Sequence, residues 1–66
     1  MERYELRIIE AGDPSPRIFA ILQTSDFAAI RRAQALAKPG QSVEVWRDMT
    51  CIFAQRNSGE KSVLSA

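Results

Sequence analysis

SDFAAIRRAQALAKPGQSVEVWRDMTCIF, residues 25–53, decides the fold. Ser25, or Thr24 before it, offers a side-chain oxygen to the free amides of a helix start. Asp26 follows in the first turn, where negative charge suits the positive end of the macrodipole. At about 100° per residue, Ala29, Ile30, Ala33, Leu36 and Ala37 form one apolar stripe with Phe27 at its edge. Arg31, Arg32, Gln34 and Lys38 lie away from it. The spacing predicts a helix over 25–38, stopped by Pro39-Gly40. Alanines at 29, 33 and 37 leave room for the helix axis to lie close to whatever it packs on.

The second half of the stretch reads as a hairpin. Strands are expected over 41–47 and 50–55, joined by Asp48-Met49. A two-residue turn sets Arg47 opposite Thr50, Trp46 opposite Cys51, Val45 opposite Ile52 and Glu44 opposite Phe53. Opposed residues point to the same side of a sheet. Val43, Val45, Ile52 and Ala54 then meet the helix, and Trp46, Cys51 and Phe53 face away from it.

Upstream, residues 4–8 alternate apolar and polar, with Tyr4, Leu6 and Ile8 inward and Glu5 and Arg7 outward. Residues 11–16 hold Gly12, Asp13, Pro14 and Pro16 and form a loop. Residues 17–24 are apolar on both sides, with Ile18, Ala20 and Leu22 on one and Phe19, Ile21 and Gln23 on the other. Short length, β-branched content and the helix cap that follows make this a strand. The chain is therefore an α+β domain of ββαββ order: a four-stranded antiparallel sheet, order 2-1-3-4, with one helix on one face. The domain is expected over 1–56, with 57–66 a polar, flexible tail.

Tyr4, the helix with Asp26, Ala29 and Ala33, and above all the Glu44-Val45-Trp46 strand also carry a likeness. The chain resembles a group of short alphaproteobacterial proteins with no established activity. The resemblance covers roughly residues 4–54. It implies the ββαββ fold and transfers no functional residue. Members often carry a glycine shortly after the tryptophan and a compact first hairpin; here Asp48-Met49 and a six-residue loop stand instead.

Composition excludes several classes of function. The chain has 66 residues, and a domain this short is marginal without a disulfide, a metal or oligomerisation. One cysteine and no histidine argue against an internal disulfide and a structural zinc site, which leaves oligomerisation. A formal net charge of +1 is unlike that of a dedicated nucleic-acid binder. The N-terminus shows no secretory leader pattern, and the longest apolar runs are too short to span a bilayer, so a cytoplasmic protein without membrane association is expected.

The case for chemistry is poor. Without histidine, acid–base work would fall to Glu5, Glu10 and Glu44, which are interleaved with Arg7 and Arg17 and read as solvated ion pairs. Cys51 lies in an apolar strand with no base beside it. Gly12, Gly40 and Gly59 are isolated, so no loop cradles a phosphate. No catalytic residue, cofactor or metal is expected. Arg31, Arg32 and Lys38 on the exposed helix arc are candidate phosphate contacts, but no aromatic residue is interleaved with them for base stacking. The stronger signal is the sheet face without a helix. Ile9, Phe19, Ile21, Trp46, Cys51 and Phe53 are expected there, and even partial exposure of Phe19, Trp46 and Phe53 makes a patch at or above what monomers usually leave bare. Phe19, Ile21, Trp46 and Phe53 are the candidate interaction face of a homodimer or protein-binding module. Nucleic-acid binding through the basic helix arc is the alternative.

Overall fold

Ser25 closes the start of the only helix among the described residues: its Oγ accepts a hydrogen bond from the Ala28 amide at 3.1 Å. The computed structural model describes residues 1–13 and 15–57. The elements are β1 (Glu2–Glu10), β2 (Arg17–Gln23), α1 (Asp26–Leu36), β3 (Gln41–Arg47) and β4 (Thr50–Asn57). The strands form one antiparallel sheet in the order β2-β1-β3-β4. The α+β architecture, the element order and the strand order are those read from the sequence.

Helix α1 lies on one sheet face, here the inner face. Tyr4, Leu6 and Ile8 of β1 and Val43 and Val45 of β3 are buried there together with Ala29 and Ala33 of the helix. Ala29 and Ala33 have no exposed surface, as expected where helix and sheet approach most closely. Ile30, Leu36 and Ala37 complete the helix stripe from its margins. Phe27, at the stripe's edge in sequence, projects from the protein instead.

The helix is shorter than its sequence pattern. It ends at Leu36, with Ala37 as an extended cap and Lys38 beyond it. Two side chains secure this end. Asn57 Nδ2 donates to the Ala37 carbonyl at 3.2 Å. Gln41, buried, accepts from the Lys38 amide at 2.9 Å and donates to Glu10 at 3.1 Å. Gly40 takes φ 87°, a left-handed conformation open to glycine at no steric cost, and its amide reaches the Asn57 carbonyl at 2.6 Å. Asn57 thus belongs to β4 and to the helix cap, not to a tail. The rest of the expected tail, from residue 58, lies outside the described residues.

Both outer registers differ from expectation. In β1–β2, Tyr4 opposes Ile21, Leu6 opposes Phe19 and Ile8 opposes Arg17. In β3–β4, Arg47–Thr50 and Trp46–Cys51 pair as expected, but the register then shifts. Val45 opposes Phe53 and Glu44 opposes Ala54, so Ile52 is the extra residue of a β-bulge. The bulge lets Ile52 and Phe53 both pack against the core, burial that a regular strand would have given to only one of them.

Candidate interaction surface

These registers redistribute the expected interaction face. Opposed residues share a side. Phe19 and Ile21 therefore point to the inner face with Leu6 and Tyr4, and Phe53 does so with Val45. Ile21 and Phe53 pack on the margin of the core. Only Trp46 of the four candidates lies on the outer face, where Ile9 and Cys51 also sit. Ala54, expected under the helix, joins them through its pairing with Glu44. The residues turned outward on β2 are Ile18, Ala20 and Leu22.

The centre of the outer face is occupied by charge, with Glu5 and Arg7 outward as expected. Glu5 opposes Trp46 and Arg7 opposes Glu44 across β1–β3. The Arg7 guanidinium lies over the Trp46 ring, 4.3 Å from its centroid. The indole Nε1 donates to Glu44 Oε1 at 2.9 Å. Arg7 Nε stands 3.5 Å from Glu5 Oε2 and is itself buried without a hydrogen bond. Trp46 is thus half-buried under its own neighbours. A flat partner on this face would have to desolvate Arg3, Glu5, Arg7 and Glu44 together, a cost that opposes the gain from apolar contact around Trp46.

The exposed apolar surface gathers instead along β2, one of the two sheet edges. Ile18 is 53% exposed and Leu22 58% on the outer side; Phe19 is 37% exposed on the inner side. Phe27, 67% exposed, follows four residues after the strand ends. β2 has no bulge, no proline within it and no charge after Arg17. An edge strand presents one side of its backbone unpaired, and proteins usually blunt such edges with charge, proline or a bulge. The opposite edge, β4, has the bulge at Ile52, and Arg56 near its end.

The helix arc gathers less charge than its sequence. Arg31 and Arg32 are exposed, but Lys38 lies past the helix end. The Arg31 guanidinium sits 5.6 Å from the centroid of Phe27, a ring the sequence placed at the edge of the core stripe.

A buried phenol ties the layers together. Tyr4 donates to Asp26 Oδ1 at 2.7 Å, and Arg47 Nη1 holds both oxygens of the same carboxylate at 2.7 and 3.0 Å. Burial raises the Tyr4 phenol above its ordinary value of 10.0, and the hydrogen bond and charge of Asp26 add to the rise. The cluster joins β1, the helix start and the end of β3, with the phenol buried and the Asp26–Arg47 pair partly open to solvent.

Cys51 is exposed, its Sγ 3.5 Å from the Phe53 carbonyl. Among the described residues no helix is long and apolar enough to cross a membrane, and no cluster of three or more metal-binding side chains occurs. No family model matches the chain, and no curated protein or solved structure shows significant similarity to it. Function is therefore read from surface chemistry.

Proposed function

We propose that the protein is a non-enzymatic interaction module that receives a partner strand along β2. One observation carries this reading: a seven-residue edge strand with Ile18, Phe19 and Leu22 exposed, no charge beyond its first residue, Arg17, and no proline or bulge inside it. A strand added there would gain backbone hydrogen bonds along its length and apolar contacts on both faces. For a small domain that burial is also a source of stability. The reading keeps the interaction function expected from sequence and moves it from the outer face to the edge.

The test is site-specific photo-crosslinking in cells, with a benzophenone side chain at Leu22 or at Ala35 on the exposed helix arc. A discrete protein adduct from Leu22 and none from Ala35 is the expected result. No protein adduct from Leu22, or a nucleic-acid adduct at Ala35 beside Arg31 and Arg32, would overturn it.

A further inference from the structure

β2 is complementary to itself, and we infer that the strand it receives is β2 of a second copy, paired antiparallel about a twofold axis at Ala20. This deepens the reading of β2 as a docking edge and rests on it.

The geometry leaves few alternatives. Two identical strands pair antiparallel and symmetrically only about an axis perpendicular to the sheet. Such an axis keeps both helices on one side of a continuous sheet, so inner residues oppose inner residues. Because that axis keeps every side chain on its own face and opposed residues share a face, one residue must oppose its own copy, with the axis midway between the two.

Placed at Phe19, it sets Arg17 opposite Ile21 and draws Pro16, which has no amide donor, into the ladder opposite Leu22. Placed at Ile21, it sets Ile18 opposite Thr24 and Arg17 opposite Ser25, whose hydroxyl already caps the helix. Placed at Ala20, it pairs all seven residues of β2 with all seven of the other copy. Ile18 then meets Leu22 on the outer face and Phe19 meets Ile21 on the inner face. Arg17 meets the uncharged Gln23, so no like charges are opposed. The smallest side chain of the strand sits on the axis. The product is a closed dimer with an eight-stranded sheet, bounded at both ends by the bulged β4.

A face-to-face dimer would instead bury the Arg7–Trp46–Glu44 cluster, and pairing β2 with β4 of another copy would not close. A self-complementary strand whose one charge, Arg17, lies at its end and meets an uncharged residue favours the closed edge dimer over both.

The experiment uses the purified full chain. Sedimentation should show a dimer at micromolar concentration. Ile18→Lys with Leu22→Lys, both at exposed positions, should weaken it by about a hundredfold or more by setting lysines opposite one another, with helical circular dichroism unchanged. In a Cys51→Ser background, Ala20→Cys should form a covalent dimer on mild oxidation. Opposed residues of a strand pair lie about 4.5–5.5 Å apart between Cα atoms, within disulfide reach. Phe19→Cys in the same background, opposite Ile21 rather than itself, should form far less.

A monomer at high micromolar concentration, a dimer indifferent to the lysines, or faster cross-linking at Phe19→Cys would each overturn the inference. A monomer that still yields a Leu22 protein adduct in cells would sink the self-pairing and leave the docking edge standing. A monomer with no such adduct would sink both.

Discussion

The two hairpins end in the two edges of the sheet, and they dispose of apolar residues in opposite ways. In β3–β4, one extra residue lets Ile52 and Phe53 both turn toward the core, leaving Cys51, Ala54 and Arg56 to the outer face. In β1–β2 the strand is regular, so Ile18, Phe19, Ile21 and Leu22 divide between the faces and only Ile21 packs on the core. An irregular strand spends its apolar residues internally; a regular edge strand with the same content keeps them available. The bulge also leaves β4 a poor template for pairing. The contrast is between a finished edge and an open one.

The largest expected effect breaks this contrast most directly. Phe53→Ala should cost about 1.5–3 kcal/mol, below the usual loss for a fully buried phenylalanine because Phe53 is only half-buried. The loss should be equal at low and high protein concentration. Phe19→Ala should cost well under about 1 kcal/mol in dilute solution. Its effect should grow with concentration as the dimer becomes the reference state. Urea melts at two concentrations separated by about a hundredfold check both. Equal, concentration-independent losses would mean that the two hairpins are alike.

Deleting Ile52 sharpens the comparison. The bulge would be lost while Phe53 stays opposite Val45. Stability should fall by about 1–2 kcal/mol for the missing half-buried side chain. The straightened β4 would become a second open edge, and sedimentation should detect species larger than a dimer, as expected when a closed association gains another pairing surface. A less stable protein with unchanged association would show that the bulge serves packing alone.

The smallest effect tests the clamp joining the hairpins. Tyr4→Phe removes one hydrogen bond to Asp26 and should lower the melting temperature slightly near neutral pH. The folded state holds the phenol above its ordinary value of 10.0. The wild-type contribution should therefore be full below about pH 10 and fall as pH rises through the folded-state value. Thermal melts from neutral to strongly alkaline pH should show that loss in the wild type and a shallower one in Tyr4→Phe. Parallel curves would show that Tyr4 does not set the alkaline limit.

Most of the fold was legible because the decisive signals are local. Ser25 and Pro39-Gly40 bound the helix, the alanine row finds its buried face, and Tyr4, Leu6 and Ile8 alternate without ambiguity. Phe19 and Ile21 were assigned to the wrong face because β2 is apolar at nearly every position, so alternation gives it no phase. The missing phase was present in the parity of the loop. Ile8 and Arg17, the pair that closes the hairpin, enclose eight residues, and pairing across an even number of residues sets even-numbered residues opposite odd ones. With Tyr4, Leu6 and Ile8 inward, Phe19 and Ile21 had to be inward too. No comparable signal announced the bulge, since Ile52 and Phe53 turn inward together through tertiary packing. The helix ends two residues before its pattern does because Gln41 and Asn57, distant in sequence, bind the chain at Lys38 and Ala37.

The strand order has a consequence for how the chain is made. Each hairpin closes locally, but the seam between β1 and β3 joins residues as distant as Glu5 and Trp46. Pairings of that span repay their loop-closure entropy late. On a ribosome β1 and β2 emerge first, and a hairpin alone is at best marginally stable in water. Until the helix and β3 arrive, the apolar edge of β2 belongs to a fluctuating nascent segment. Neighbouring chains on one messenger would meet at that edge before either has a core, so the proposed pairing of β2 would depend on synthesis spacing as well as on affinity.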